Sequence, residues 1–286
     1  MGNLLRVNFV SVFKNKLFWL SVICTALVSY LGMDIYYLKI KDDLLTQITT
    51  SYIIPVVIIA SIVPFLVGSD FDGGIIRNKI MAGLSKGQIY FADLLVSCFC
   101  SVVVSVVALG SWLVTAMSVI GSDRFMRWIG DSNFSGTLVS VFVHMFFVVL
   151  TISFISTAIT VIGENKAIAI VGILVVIMVG GIVSDATRRY ATDTEKEIFG
   201  GFTDDFEPIL EPNDYYVPDG TPKKYMYLVL DSTDIITQIS YSPLDYVVAD
   251  SPENYKIPVR YDVGLLCDGV LASVLALVVF KHKNIK

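Results

Sequence analysis

Six long apolar runs dominate this chain and leave little freedom in how it can fold. They are Leu17–Met33, Thr49–Gly68, Leu94–Met117, Leu138–Ile162, Ala167–Val183 and Val263–Phe280. A hydrocarbon core of about 30 Å is crossed by roughly 17–25 helical residues, and every run has that length. Inside lipid a backbone finds no water, so such runs cross as helices that close their own hydrogen bonds. Composition agrees, because 55% hydrophobic and 16% charged residues with a mean hydropathy of +0.70 do not describe an ordinary soluble core. The expectation is an all-α membrane protein with six transmembrane helices.

Orientation follows from the short loops, since basic residues are retained on the cytoplasmic side. Arg6, Lys14, Lys16, Arg77, Lys79, Lys86, Lys166, Lys281, Lys283 and Lys286 fall on one side of such a six-span chain, against Lys39, Lys41, Arg124 and Arg127 in the short loops of the other. Both termini are therefore expected in the cytoplasm of a cell-membrane protein. Lys14 and Lys16 before Leu17 imitate a secretory signal, but no A-x-A cleavage site follows, so an uncleaved first span is expected. The fourth and fifth runs are separated only by Gly163–Lys166 and predict a tight helical hairpin.

The segment Ser184–Tyr261 is the one stretch able to fold outside the bilayer, and it divides the chain into 1–183, 184–261 and 262–286. It holds seven basic and fifteen acidic residues, more than the whole chain's net charge of −5. Thr221-Pro222 ahead of Lys223–Asp231 gives an N-cap followed by proline at the first helical position, which predicts a short helix. A strand over Tyr225–Leu230 is the alternative. The insertion is expected to be a compact, loop-rich acidic cap that leans on the membrane helices.

Several chemistries are excluded. No basic field exists for nucleic acid, and no phosphate loop with a lysine-hydroxyl pair follows the Gly68–Gly74 stretch. Neither His-Glu-x-x-His nor paired cysteines are present, and Cys24, Cys98, Cys100 and Cys267 all lie in apolar runs. His144 in span four reads as a polar group satisfied by a neighbouring helix. Asp268 in span six is the most unusual residue, because an intramembrane carboxylate faces protein or water; a substrate path and an interhelical hydrogen bond are the two readings. Ser97, Ser101 and Ser105 share one face of span three, and Ser153, Ser156, Thr157 and Thr160 form a similar stripe in span four. Close helix packing and a path lining are again the two readings. Pro55 and Pro64 predict a kinked second span, static or mobile.

The inner loop 68–90 carries the most specific signal. It reads Asp72-Gly73-Gly74-Ile75-Ile76-Arg77-Asn78-Lys79-Ile80 and continues to Ser85-Lys86. Ile76, Ile80 and Leu84 share one helix face, while Arg77, Asn78 and Lys79 are expected to face away, as on a helix lying at the membrane surface. This stretch resembles the loop of ABC-2-type permeases, the membrane subunits of ATP-binding-cassette exporters. Their pattern runs from an acidic residue to Gly-Thr-Ile-Arg and then to Ser-Arg before the next span. Asp72, Gly74, Ile76 and Arg77 match it, followed by Ser85-Lys86, with Ile75 in place of the Thr and Lys86 in place of the Arg. The six-span layout, the outer insertion and Ser242-Pro243-Leu244, which looks like an Asn-Pro-Leu turn, extend the likeness.

The resemblance implies a coupling helix that docks on a separately encoded ATPase subunit through Asp72, Gly73, Gly74, Ile76, Arg77, Lys79, Ile80, Ser85 and Lys86. It also implies an N-terminal amphipathic helix, here Leu4–Lys16 with Leu5, Phe9 and Phe13 on one face. Two permease chains and two ATPase subunits would form the exporter. ATP and magnesium would sit on the partner subunit, so this chain would hold no cofactor and perform no hydrolysis. Such permeases serve peptide export, antimicrobial-peptide immunity or drug resistance. A membrane sensor or assembly protein with an acidic, ligand-binding outer cap is the alternative.

Overall fold

In the computed structural model the apolar runs form helices, and those on the last four runs extend past both ends of the run. The structure describes residues 2–31, 52–193, 195–202, 206, 208–233 and 259–283. Lys39, Lys41, Ser242-Pro243-Leu244, Asp204, Asp205 and Glu207 lie outside these residues. The helices are α1 (Gly2–Lys14), α2 (Lys16–Leu31), α3 (Ile53–Asp72), α4 (Ile75–Met81), α5 (Lys86–Ile120) and α6 (Ser122–Gly130). They continue with α7 (Ser132–Gly163), α8 (Lys166–Thr192), α9 (Pro222–Thr233) and α10 (Val259–His282). A hairpin of β1 (Glu197–Phe202) and β2 (Pro208–Pro212) stands between α8 and α9.

Among the described residues α3, α5, α7, α8 and α10 are each long and apolar enough to cross a membrane, and the pair α1 and α2 passes the same test together. That pair is bent by 61°. The bend has a local cause, since Asn15 leaves the helix and its side chain accepts from Leu17 N at 2.9 Å. Trp19 Nε1 then donates back to the Phe13 carbonyl at 2.8 Å and straps the corner.

The core lies where α7 packs against α10, α5 and α3, and it contains Ile59, Val63, Val104, Val149, Ile152 and Leu265. The side chains of both hydroxyl stripes are buried. Ser101 donates to the Ser97 carbonyl and touches Ser153 of α7, while Tyr52 donates to Ser105 Oγ at 3.1 Å. Ser156, Thr157 and Thr160 are buried on α7. Pro55 sits in the first turn of α3, where the backbone N–H has no intrahelical acceptor to lose, and α3 runs through the buried Pro64 without a break. The outward faces of α8 and α10 stay apolar, as Met178, Ile182, Leu271 and Leu275 illustrate.

The apolar part of α8 ends at Val183, and the helix itself continues to Thr192. Residues 184–192 include neither proline nor glycine to stop it, so polarity alone does not end the helix. Asn165 starts α8 by accepting from Ala167 N and Ile168 N, which closes the tight turn after α7. The insertion begins with the exposed hairpin and then α9. Thr221 Oγ1 accepts from Lys224 N at 3.3 Å, so the Thr221-Pro222 signal marks a helix start and the strand alternative falls. The α9 helix packs on α8 and α10 through Tyr227 stacked on Tyr190 at 4.8 Å and Tyr261 donating to Asp231 Oδ2 at 2.9 Å.

Candidate functional site: a buried polar joint at the inner loop

The short helix α4 is entered through Gly74, whose φ of 65° lies in the left-handed region that a side chain disfavours. This turn reverses the chain at the end of α3 and lays α4 across the ends of α3 and α5. Ile76 is fully buried there, with Ile80 and Leu84 packed against the same core. The apolar face read from the sequence therefore meets protein. Arg77 and Asn78 are exposed on the other side, together with Met81 at 69% exposure.

Lys79 departs from the expected outward direction. Its side chain is only 10% exposed and its ammonium lies 2.6 Å from Asp70 Oδ2. It also lies 3.8 Å from Asp93 Oδ1 and donates to Asn8 Oδ1 at 3.3 Å. Asn8 in turn donates to Asp93 Oδ1 at 2.8 Å. Four helices thus meet at one polar point: α1 brings Asn8, α3 Asp70, α4 Lys79 and α5 Asp93. An ammonium leaves water at such a depth only with partners of this kind, and the two carboxylates offset the hydration that Lys79 gives up by turning inward.

The same joint lies on the side of α1 that packs into the protein. Its buried residues are Leu4, Asn8 and Val12, one position away from Leu5, Phe9 and Phe13. Asn8 is among the buried residues, and from there its amide reaches Asp93. Phe9 and Phe13 keep an aromatic partner in Phe99, at centroid distances of 5.0 and 5.9 Å.

A cavity of about 130 Å³ opens beside the joint, lined by Asn8, Ser11, Asp70, Lys79, Asp93 and Ser97 among others. Sequence reasoning missed Asn8, Asp70 and Asp93. One signal was available: Asp93 is a carboxylate placed one residue before an apolar run, where a charge needs a partner.

The other loop residues hold the inner ends of the helices together. Asp72 pairs with Lys166 at 3.1 Å, which ties the loop to the turn between α7 and α8. Ser85 and Gln88 form a capping box that starts α5. Lys86 donates to the Lys281 and Lys283 carbonyls and so caps the end of α10, while Lys283 pairs with Glu164 at 3.4 Å. Gly73 caps the end of α3. Asp268 is distant in sequence and half-buried on α10, and nothing places it at this joint.

A second buried polar pair was not read from the sequence as a pair. His144 Nδ1 lies 2.7 Å from Asp262 Oδ1, across the contact of α7 with the first turn of α10. A helix neighbour does satisfy His144, and the neighbour is a carboxylate.

Fold and site together define a multi-pass helical membrane protein with a short, internally anchored helix between two of its spans. No family model, curated protein or solved structure matches the chain.

Proposed function

We propose that the chain is the membrane subunit of an ABC-2-type exporter, driven by a separate ATPase subunit that docks on α4. The observation that carries this reading is the division of α4 into two faces. One face is fixed to the bundle by Ile76 and by Lys79 in its buried joint, and the other offers Arg77, Asn78 and Met81 to the outside. An element that transmits force must be rigidly attached on one side and free to be gripped on the other. The likeness of Asp72–Lys86 to the coupling loop of such permeases supplies the identity of the gripping partner. ATP and magnesium belong to that partner, and a second permease chain completes the path.

In this reading the loop, Lys166 and Lys283 face the cytoplasm and the acidic insertion faces outward. Its excess of carboxylates favours a cationic substrate such as an antimicrobial peptide, through a field screened within about 8 Å at physiological salt.

The test replaces exposed residues only. Arg77→Glu with Met81→Ser should leave the melting temperature unchanged while the co-purified ATPase and ATP-dependent protection against cationic peptides are lost. Retention of both would place the coupling site elsewhere. Orientation is checked with single cysteines at Met81 and Met126, in a background freed of the native cysteines. Both positions are exposed and they lie beyond opposite ends of α5. Met126→Cys should label in intact cells and Met81→Cys only after permeabilisation.

A further inference from the structure

One ammonium serves two carboxylates at the inner joint, and it serves them unequally. Lys79 Nζ is 2.6 Å from Asp70 Oδ2 on α3 and 3.8 Å from Asp93 Oδ1 on α5. The bond from Asn8 occupies Asp93 Oδ1, whereas Asp93 Oδ2 is buried with no hydrogen-bond partner among the described residues. A buried carboxylate oxygen without a donor carries its full desolvation penalty. The ammonium already near the other oxygen of the same carboxylate can remove that penalty by a short swing. The swing has room, because both carboxylates and Lys79 line the cavity of about 130 Å³. A lysine stem has four rotatable carbons and its ammonium bonds in any direction, so a change of partner needs no fixed geometry.

We propose that Lys79 exchanges between Asp70 and Asp93, so that α4 is tied alternately to α3 and to α5. With Lys79 closer to Asp70, as in this structure, α4 follows the end of α3, and Asp93 has its hydrogen bond from Asn8 of α1 with the ammonium at 3.8 Å. With Lys79 on Asp93, α4 follows the start of α5 and Asp70, which is the more exposed of the two carboxylates, turns to water. Two discrete seats for one charge give α4 two arrangements instead of a continuum, which is what a switching element needs. The use of this exchange in ATP-driven coupling rests on the permease reading; the exchange itself does not.

Interchangeable seats predict redundancy, which a mutant cycle measures in the full-length protein in detergent. Asp70→Asn and Asp93→Asn should each lower the melting temperature by about 2–4 °C, because the remaining carboxylate takes the ammonium. The double variant strands a buried ammonium and should fall by roughly 10 °C or more, well beyond the sum of the two. Adding Lys79→Met should then recover most of the loss. If the double variant is not obtained folded, recovery of folded protein by Lys79→Met gives the same answer, and failure to recover overturns the proposal. Asp70→Asn alone costing as much as the double variant, or two effects that simply add, would also overturn it. In the assembled complex the two single variants should shift ATP turnover in opposite directions. A redundant stability cycle with no such shift would retain the exchange and reject its part in ATP coupling.

Discussion

Asn8 donates to Asp93 Oδ1 at 2.8 Å and joins two helices whose residues are 85 positions apart in the chain. Through this bond the N-terminal helix is fixed to the start of α5, directly beside the lysine that anchors α4. Asn8→Ala removes the donor and leaves Asp93 with the Lys79 ammonium, 3.8 Å away, in place of a hydrogen bond. The expected cost is about 1–3 kcal/mol, read as a lower melting temperature together with faster proteolysis near the N-terminus. Unchanged values for both would mean that Asn8 contributes nothing to the docking of α1.

Arg77 and Lys79 are neighbours in sequence with opposite surroundings, and charge reversal should separate them. Arg77→Glu changes an exposed side chain and should alter stability by less than about 0.5 kcal/mol. Lys79→Glu gathers three carboxylates in one buried cluster and should cost about 3–5 kcal/mol or prevent recovery of folded protein. Folded yields in detergent, followed by melting curves, check the contrast. Equal tolerance of both reversals would contradict the inward position of Lys79.

His144 and Asp262 hold α7 to the first turn of α10, and neither has the same value without the other. His144→Leu leaves the Asp262 carboxylate without its ring partner and should destabilise by about 1–3 kcal/mol. His144→Leu combined with Asp262→Leu replaces both polar groups and should be less damaging than the single change. A double variant worse than the sum of the singles would show that the pair is not an independent unit.

Gly264 marks a close approach of α10 to α9, because a side chain there would overlap the Ser232 carbonyl. Backbone cannot yield as a flexible side chain does, so Gly264→Ala should loosen α9 and expose residues 195–233 to protease. Gly110 is helical with open space around it, and Gly110→Ala should be neutral or stabilising by up to about 1 kcal/mol. Protection of the insertion after Gly264→Ala would show that α9 is held by other contacts.

Much of the architecture is a local property of the chain and was legible as such. Apolar runs long enough to span lipid placed the helices, Thr221-Pro222 placed the start of α9, and Ile76 and Ile80 marked the packed face of α4. Each of these rests on length, capping or periodicity within about 25 residues, and the physics that enforces them acts over the same range. The helical stretch of α8 beyond Val183 carried no such mark: a loss of hydropathy signals the end of an apolar run, while a helix stops only where its backbone is interrupted.

The direction of Lys79, the burial of Asn8 and the partner of His144 were decided by tertiary structure alone. In each case a polar side chain was placed by a group far away in sequence: Asn8 lies 71 positions from Lys79, and His144 lies 118 from Asp262. Helical periodicity assigns a charged residue such as Lys79 to the outer face because, in a single helix, water is its best partner. Once four helices converge, buried carboxylates become a better one, and no pattern within a single helix contains that competition.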